Sequence, residues 1–524
     1  MTTATGTPYR SALPPGRDRF AHLLRSEWTK FRTVRGWVIT TTIAALVVAL
    51  LGLLFASGSR STCGIGPIEV ACPTPPVGPD GEAVDDTFYF VHRSLTGDGD
   101  ITVRLTSMTG IITYPPPDHD EIVPGLVPWA KAGVIVKDGT REGSAYAALM
   151  ATARHGVRMQ HNFTHDTAGR PGVVSPASPR WLRLTRSGDT LTGYESADGT
   201  RWTKVGTARL AGLPATVQVG LFVASPGDLT VKQGSLGGSI EQVRFTQATA
   251  VFDHLSLRGA TSPGEWSRQG VGRTGDTDWE RYHRPAGLEE SGGTFTVTGS
   301  GDMAPSVDGH QIERLLTGAL AGLIVVIVVA VMFVTAEYRR GLIRTTLLAG
   351  PRRGRMPVAK AVVIAAVVFV AGLAAATVTV VFGRRILVAN GNHVLPMSWL
   401  TEVRVIAGTA ALFAFTAVFA LALGALFRRG VAAVITAMVT IVVPFILATA
   451  SVLPDGAAQW LLRLTPAAGF AIQQTMPQYA HVLRHYVPAA GYYPLAPWAG
   501  LAVLGGYAAL ALGLAVFRVR RRDA

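Results

Sequence analysis

Six apolar runs, each long enough to cross a bilayer, constrain this chain more than any other feature. Residues 37–56, 315–334, 358–382, 405–427, 431–453 and 498–517 are almost free of charged side chains. A helix rises about 1.5 Å per residue, so roughly twenty apolar residues traverse the ~30 Å of hydrocarbon. The basic residues cluster at alternate ends of these runs: Arg25 to Arg35, Arg339 to Lys360, Arg428-Arg429, and Arg518 to Arg522. Cationic side chains resist translocation, so these ends are expected on the cytoplasmic face, with both termini inside. The outer pair Arg384-Arg385 is the one dissent. The chain is 48% hydrophobic and 16% charged, and mean hydropathy is positive. A formal net charge of +14 raises nucleic acid as a partner. The cations flank the apolar runs instead of covering one folded face, so no nucleic-acid partner is expected.

The expected fold is therefore a polytopic α-helical membrane protein of about six transmembrane helices, with a large all-β domain inserted between the first two. The expected divisions are a cytoplasmic N-terminus with an amphipathic helix (1–36), a first span (37–56), an extracellular domain with stalk (57–312) and a second span (313–335). A cytoplasmic loop (336–358), spans three to six with their outer loops (359–518) and a cytoplasmic tail (519–524) follow. In the N-terminal segment, Phe20, Leu23, Leu24, Trp28, Phe31 and Val34 recur at helical spacing, with Arg19, Arg25, Lys30 and Arg32 on other faces. That pattern predicts a basic helix lying in the membrane interface. Pro444 predicts a kink in the fifth span. Residues 384–402 read as a short outer loop. The semi-apolar stretch 454–497 is long for a turn and is expected to dip back toward the membrane edge. Gly318, Gly322, Gly372 and Gly424 allow close helix packing. No carboxylate sits in mid-bilayer, and Glu337 lies at a mouth. Ion-coupled carriers use intramembrane carboxylates or histidines, so the energy for any transport is expected from outside the bilayer.

Residues 57–313 follow a different pattern. Short runs alternate with period two, as in Trp181-Leu-Arg-Leu-Thr185 and Val217-Gln-Val-Gly-Leu-Phe-Val223. Such runs are strands with one buried face. Ser187-Gly-Asp189 and Asp198-Gly199 are hairpin signals, and many short strands imply a β-sandwich. Gly97-Asp-Gly-Asp100 reads as a turn leading into a strand. Cys63 and Cys72, close together on the outer side, predict a disulfide-closed loop, free thiols being the alternative. Asp118-His-Asp-Glu121 is the densest acidic cluster, which an exposed Pro-rich loop explains as well as a hard cation does; no metal is expected. His155, His161 and His165 are read as non-catalytic, the last two being neighbours only if that stretch were helical. No strand displays a pair of carboxylates suited to glycoside hydrolysis.

The loop at residues 336–360, AEYRRGLIRTTLLAGPRRGRMPVAK, has internal design. Gly341 to Leu348 mixes apolar and cationic residues and is stopped by Gly350-Pro351. It suits a short helix across the bilayer face, docking a cytoplasmic partner, or else a solvated loop that only sets topology.

The membrane part resembles an ABC-2 type transporter permease. The matching residues are Ser26-Glu-Trp-Thr-Lys-Phe-Arg32, Ala336-Glu-Tyr-Arg-Arg-Gly-Leu-Ile-Arg-Thr-Thr-Leu347 with Pro351-Arg-Arg353 and Ala359-Lys360, and Leu464-Thr-Pro466. The resemblance implies that the N-terminal segment is an elbow helix, carrying Glu27, Trp28, Lys30 and Arg32. It implies a coupling helix after the second span that docks on an ABC ATP-binding subunit, through Glu337, Tyr338, Arg339, Arg340, Gly341, Arg344, Arg352 and Arg353. It also implies a second permease copy, as a homo- or heterodimer, in contact with membrane lipid. The chain has no G-x-x-x-x-G-K-[ST], so it is expected to bind no cofactor itself, with ATP and magnesium on the partner subunit. In the outer domain, Phe88-Tyr-Phe90, the stretches Trp129 to Lys137 and Arg180 to Asp189, and Ser196-Ala-Asp-Gly-Thr-Arg-Trp202 resemble a concanavalin/laminin-G-type sandwich. Such a fold implies a cell-wall or exported glycan as a partner. The resulting expectation is a non-enzymatic permease subunit of an ATP-driven exporter in the plasma membrane. The alternative is a membrane-anchored carbohydrate-binding or sensing module, and a tethered hydrolase ranks third.

Overall fold

The computed structural model describes residues 20–65, 68–70, 72, 74–113, 121–233, 239–261, 264–272, 286–339 and 354–521. Six helices in it are long and apolar enough to cross a membrane. An amphipathic helix α1 (Phe20–Thr33) precedes the first of them, α2 (Arg35–Gly58). The others are α3 (Gly318–Arg339), α4 (Arg355–Ala389), α5 (Trp399–Phe427), α6 (Gly430–Thr449) and, after a shorter α7 (Asp455–Leu464), α8 (Pro497–Arg521). α5 is the most buried and packs against α3, α4 and α8. Rows of Ile, Leu and Val on α2, such as Ile39, Ile43, Leu46, Leu50 and Leu54, remain exposed, as expected of a lipid-facing surface.

The small residues act at helix crossings. A Cβ at Gly318 would lie 2.7 Å from the Val48 carbonyl oxygen, and one at Gly424 2.7 Å from Val334 Cγ1. Gly322 and Gly372 meet Val48 and Phe413 in the same way.

Two expectations are corrected within the bundle. The third long helix runs on to Ala389, so Arg384 and Arg385 belong to its last turns and the outer loop shrinks to residues 390–398. There Arg384 lies 3.9 Å from Glu402 and Arg385 packs over Phe382. In α6 the disturbance expected at Pro444 takes the form of a π-helical turn at Met438–Val442, just ahead of the proline. A π turn absorbs the register error that a missing N–H creates. The 454–497 stretch does turn inward: the 3-10 segment Pro466–Gln473 is buried throughout, against α5 and α8.

Between α2 and the 3-10 turn Ile312–Thr317 that leads into α3, the described residues form strands without a helix. Cys63 and Cys72 are joined in a disulfide that closes a small loop after α2. Fifteen of the described strands make one sheet. Its main path uses β1 (Phe88–Thr113), β2 (Lys131–Lys137), β3 (Tyr146–Thr152), β4 (Val157–His161), β5 (His165–Ala168), β6 (Arg180–Ser187), β7 (Thr190–Ser196), β8 (Thr203–Arg209) and β9 (Thr216–Ala224). The order is β8-β7-β6-β1-β9-β2-β3-β4-β5, with a further long strand β10 (Ser239–Thr261) along β1. The sheet curls until its ends meet, giving a nearly closed barrel in place of two separate layers. Gly193 and Gly206 make the approach possible: a Cβ at either would lie 3.0 and 3.1 Å from the Met159 sulfur across the core. The buried faces of β6 and β1 alternate as read, Leu182 and Leu184 facing inward with Val103 and Leu105. Strands β2 and β3 are buried on both faces, since Phe88, Phe90, Phe163 and Phe222 form a second cluster behind them.

Two further corrections concern this domain. Gly97-Asp-Gly-Asp100 is no turn before a strand but part of β1, where Gly97 has φ +71° and the pairing with β10 shifts register at Gly259. A bulge of this kind bends a strand without ending it. His161 and His165 are neighbours without any helix. They oppose each other across the β4–β5 hairpin, their rings stacked at 4.3 Å. The tight turn is possible because Asn162 and Phe163 take φ +45° and +64°.

Candidate functional site

Helix α1 turns one face into the bundle, and Glu27 and Phe31, one turn apart, are its buried residues. Phe31 packs edge-on against Phe333 of α3 at 5.8 Å, and Trp37 meets the same ring at 5.5 Å. This aromatic contact sets α1 across the ends of α3 and α4, opposite the end that carries the sheet. Four charged side chains converge beside it. Lys360 Nζ, on the first turns of α4, donates to Glu27 Oε2 at 2.6 Å and to Glu337 Oε1 at 2.7 Å. Lys30 Nζ donates to Glu27 Oε1 at 2.8 Å and to Glu337 Oε1 at 3.0 Å.

Two ammonium groups and two carboxylates thus form a closed, neutral ring. Glu27 is 0% exposed and Lys360 1%, and the Lys360 ammonium rests 4.5 Å from the Phe333 ring centroid. Isolated ions so far from water cost several kcal/mol each. Paired in this way, the four groups tie α1 to both helices that bracket the loop 340–353. Burial pulls the Lys30 pKa down, but its hydrogen bonds and charge contacts with Glu27 and Glu337 outweigh that, and the net shift is upward. Glu337 Oε2 is buried with no partner among the described residues.

Of the residues marked in the sequence, Glu27, Lys30 and Glu337 are brought together. Trp28 is 47% exposed, and it and Arg32 point away from the bundle. Tyr338 is half-buried with the Arg428 guanidinium 5.4 Å from its ring. Arg339 ends α3. Arg340, Gly341, Arg344, Arg352 and Arg353 lie outside the described residues, as do Asp118, His119 and Asp120. Lys360 was seen in the sequence as one more cation of the loop. The signal that it differs is its position inside the apolar run 358–382.

The sheet is seated on the other end of the bundle. His481, in the loop before α8, is buried, and its Nε2 lies 2.7 Å from the Phe163 carbonyl oxygen. His310 exchanges backbone hydrogen bonds with His393 and Leu395, and Arg484 donates to the Val307 carbonyl at 3.1 Å. Burial, with Lys131 nearby, lowers the His481 pKa. Among the described residues no cluster of His, Cys, Asp and Glu has metal-binding geometry. His155 instead stacks on Trp129 at 4.0 Å.

No family model matches this chain, and no curated protein matches it. Among solved structures it is similar to a functionally unknown protein from Saccharomyces cerevisiae, at 14% identity over 39% of this chain and 94% of that one, with a TM-score of 0.22. It is also similar to scytalido-glutamic peptidase bound to a peptide-based transition-state analogue, at 11% identity over 41% of this chain and 98% of that one, with a TM-score of 0.23. Likeness this slight carries neither fold nor activity over to this chain.

Proposed function

We propose that this chain is the permease subunit of an ABC-2 type, export-class transporter, working as a pair of permease copies with a separate ATP-binding subunit. The observation that carries the proposal is the buried ring Glu27–Lys30–Glu337–Lys360. Force applied to the loop after α3 reaches Glu337 on one side and Lys360 on the other. Through them it reaches α1 at the membrane face. Two-state rocking of packed helices needs rigid linkage of this kind. The loop 340–353 docks the ATPase on the cytoplasmic side, and the sheet stands outside the cell. Its nearly closed barrel is a separate ligand-facing unit.

A P-loop ATPase is expected in a neighbouring reading frame, and the test is to co-express the chain with it and to measure recovery of the ATPase and stimulation of its turnover. Charge reversal at Arg339, Arg340 and Arg344 is expected to abolish recovery. Glu337→Gln is expected to keep recovery but lower stimulated turnover. Unchanged recovery after charge reversal, or labelling of the 340–353 loop from outside intact cells, rejects the reading.

A further inference from the structure

The sheet contains a polar cavity of about 340 Å³ bordered by Arg170, Arg180, Glu195, Ser196, Asp198 and Thr203. Its floor is built from strand ends. Arg180 opens β6 and Glu195 nearly closes β7, both on the inward-facing side of their strands. Farther along the same faces come Leu182, Leu184 and Leu191 of the core. The cavity is thus the place where the hydrophobic interior gives way to charge.

Arg180 is 8% exposed, yet its Nε has no hydrogen-bond partner and the side chain makes no ion pair among the described residues. Its Nη2 donates to the Pro171 carbonyl oxygen at a long 3.3 Å. The two carboxylates are engaged, while the Arg170 side chain is exposed at the rim. Asp198 accepts from Ser196, from the Thr200 and Arg201 amides, and from Arg201 Nε at 3.0 Å. Glu195, 5% exposed, accepts the Arg170 amide at 2.6 Å. Two glycines keep these charges in place: a Cβ at Gly169 would lie 2.9 Å from Glu195 Oε1, and one at Gly172 3.0 Å from Arg180 Nη2. A buried guanidinium with a free N–H, facing a cavity, is an expensive arrangement that an oxyanion relieves.

We propose that this cavity binds a carboxylate-bearing, hydroxyl-rich unit of sugar size, a uronic acid residue. A planar carboxylate matches the edge of a guanidinium better than a single point charge does. Glu195 stands beside Arg180 and repels a compact dianion, but it accepts hydrogen bonds from hydroxyls. Thr203 supplies a hydroxyl, and Ala197 adds the single apolar wall. The volume lies at the small end of ligand pockets, enough for one or two sugar units. Nothing in this assignment depends on the permease reading, and either survives failure of the other.

The test uses the full chain in nanodiscs of zwitterionic lipid, titrated calorimetrically with glucuronic acid, a glucuronate-containing oligosaccharide, glucose and inorganic sulfate. Glucuronate is expected to bind about tenfold or more tightly than glucose, as loss of a charge-assisted pair implies. Tighter binding of the oligosaccharide assigns the site to a polymer, and equal binding assigns it to the free sugar acid. Arg180→Lys is expected to weaken binding about tenfold or more. Ala197→Trp, at the exposed rim, is expected to block it without touching the buried charges. The proposal is overturned by the absence of heat from any sugar, by glucose or sulfate binding as tightly as glucuronate, or by both variants binding like the parent.

Discussion

Both halves of this molecule bury lysine against carboxylate, and they do it differently. In the sheet, Lys131 pairs with Asp302 and Lys137 with Asp86, each at 2.6 Å and each separate from the other. Asp86 and Asp302 sit at the start and finish of the domain, where Val84–Asp86 and Met303–Pro305 form a two-stranded sheet. The two lysines of β2 therefore clamp the chain where it enters and where it leaves. In the bundle, the two lysines and two glutamates share one another's oxygens and join three helices. A one-to-one pair can be replaced as a unit, whereas removing a buried member of a shared ring leaves two partners uncompensated at once. The first arrangement suits a fixed stem, and the second suits a part that must move as one.

Removing one buried partner measures that contrast, and the largest effect is expected at the ring. Lys360→Met leaves Glu27 and Glu337 facing each other, and unfolding in nanodiscs should show a loss of about 3–5 kcal/mol. Adding Glu27→Gln should restore only part of it, because Glu337 remains. A full restoration would reduce the ring to a simple pair and erase the contrast. Lys137→Met should cost about 3 kcal/mol, the low end for a buried pair, and Asp86→Asn in the same chain should recover most of it, since the two charges share no third partner. The denaturant midpoint of the pair of variants against the single one reads this directly.

Next in size is a pH effect confined to the sheet. Burial, with Asp302 and Asp308 nearby, pushes the Asp85 pKa up to about 7. The folded state then holds a proton that the unfolded state releases, so stability falls as pH rises from about 4 to about 7 and is level above that. Asp85→Asn should flatten this fall in a series of melting temperatures, and an unchanged slope would assign it to other groups. The smallest effect is expected at Lys30, whose side chain is 41% exposed. Lys30→Gln should cost less than about 1 kcal/mol because solvent screens it. A loss as large as that at Lys360 would show that the outer member holds the ring equally.

Much of the architecture was legible along the chain. Every long helix covers most of its apolar run, though the run 315–334 begins in the 3-10 turn ahead of α3 and the run 431–453 outlasts α6, and the hairpin at Gly188-Asp189 falls between β6 and β7. Where the structure departs from the sequence pattern, a local signal is overridden by its surroundings. Charge at Arg384 and Arg385 reads as the end of a span, but a helix continues past the hydrocarbon as long as its backbone bonds are satisfied. A glycine-aspartate pair at Gly97 reads as a turn, but long neighbouring strands carry β1 through the bend. His161 and His165 read as separate, because strand residues at that spacing meet only across a tight hairpin, and this one needs positive φ at a phenylalanine.

The candidate site was half visible. Glu27, Lys30 and Glu337 stood out as charges next to apolar surface, a local property. Their union with Lys360 was not visible, for Glu27 and Lys360 lie 333 positions apart and Lys30 and Glu337 lie 307 apart. Span length, strand alternation and the placing of cations follow from the chemistry of neighbouring residues and the fixed thickness of a bilayer, so the order of residues settles them. Which buried charges neutralise one another, and which guanidinium is left facing a cavity, depends on how distant segments pack. Those choices come from burial, and burial exists only once the chain is folded.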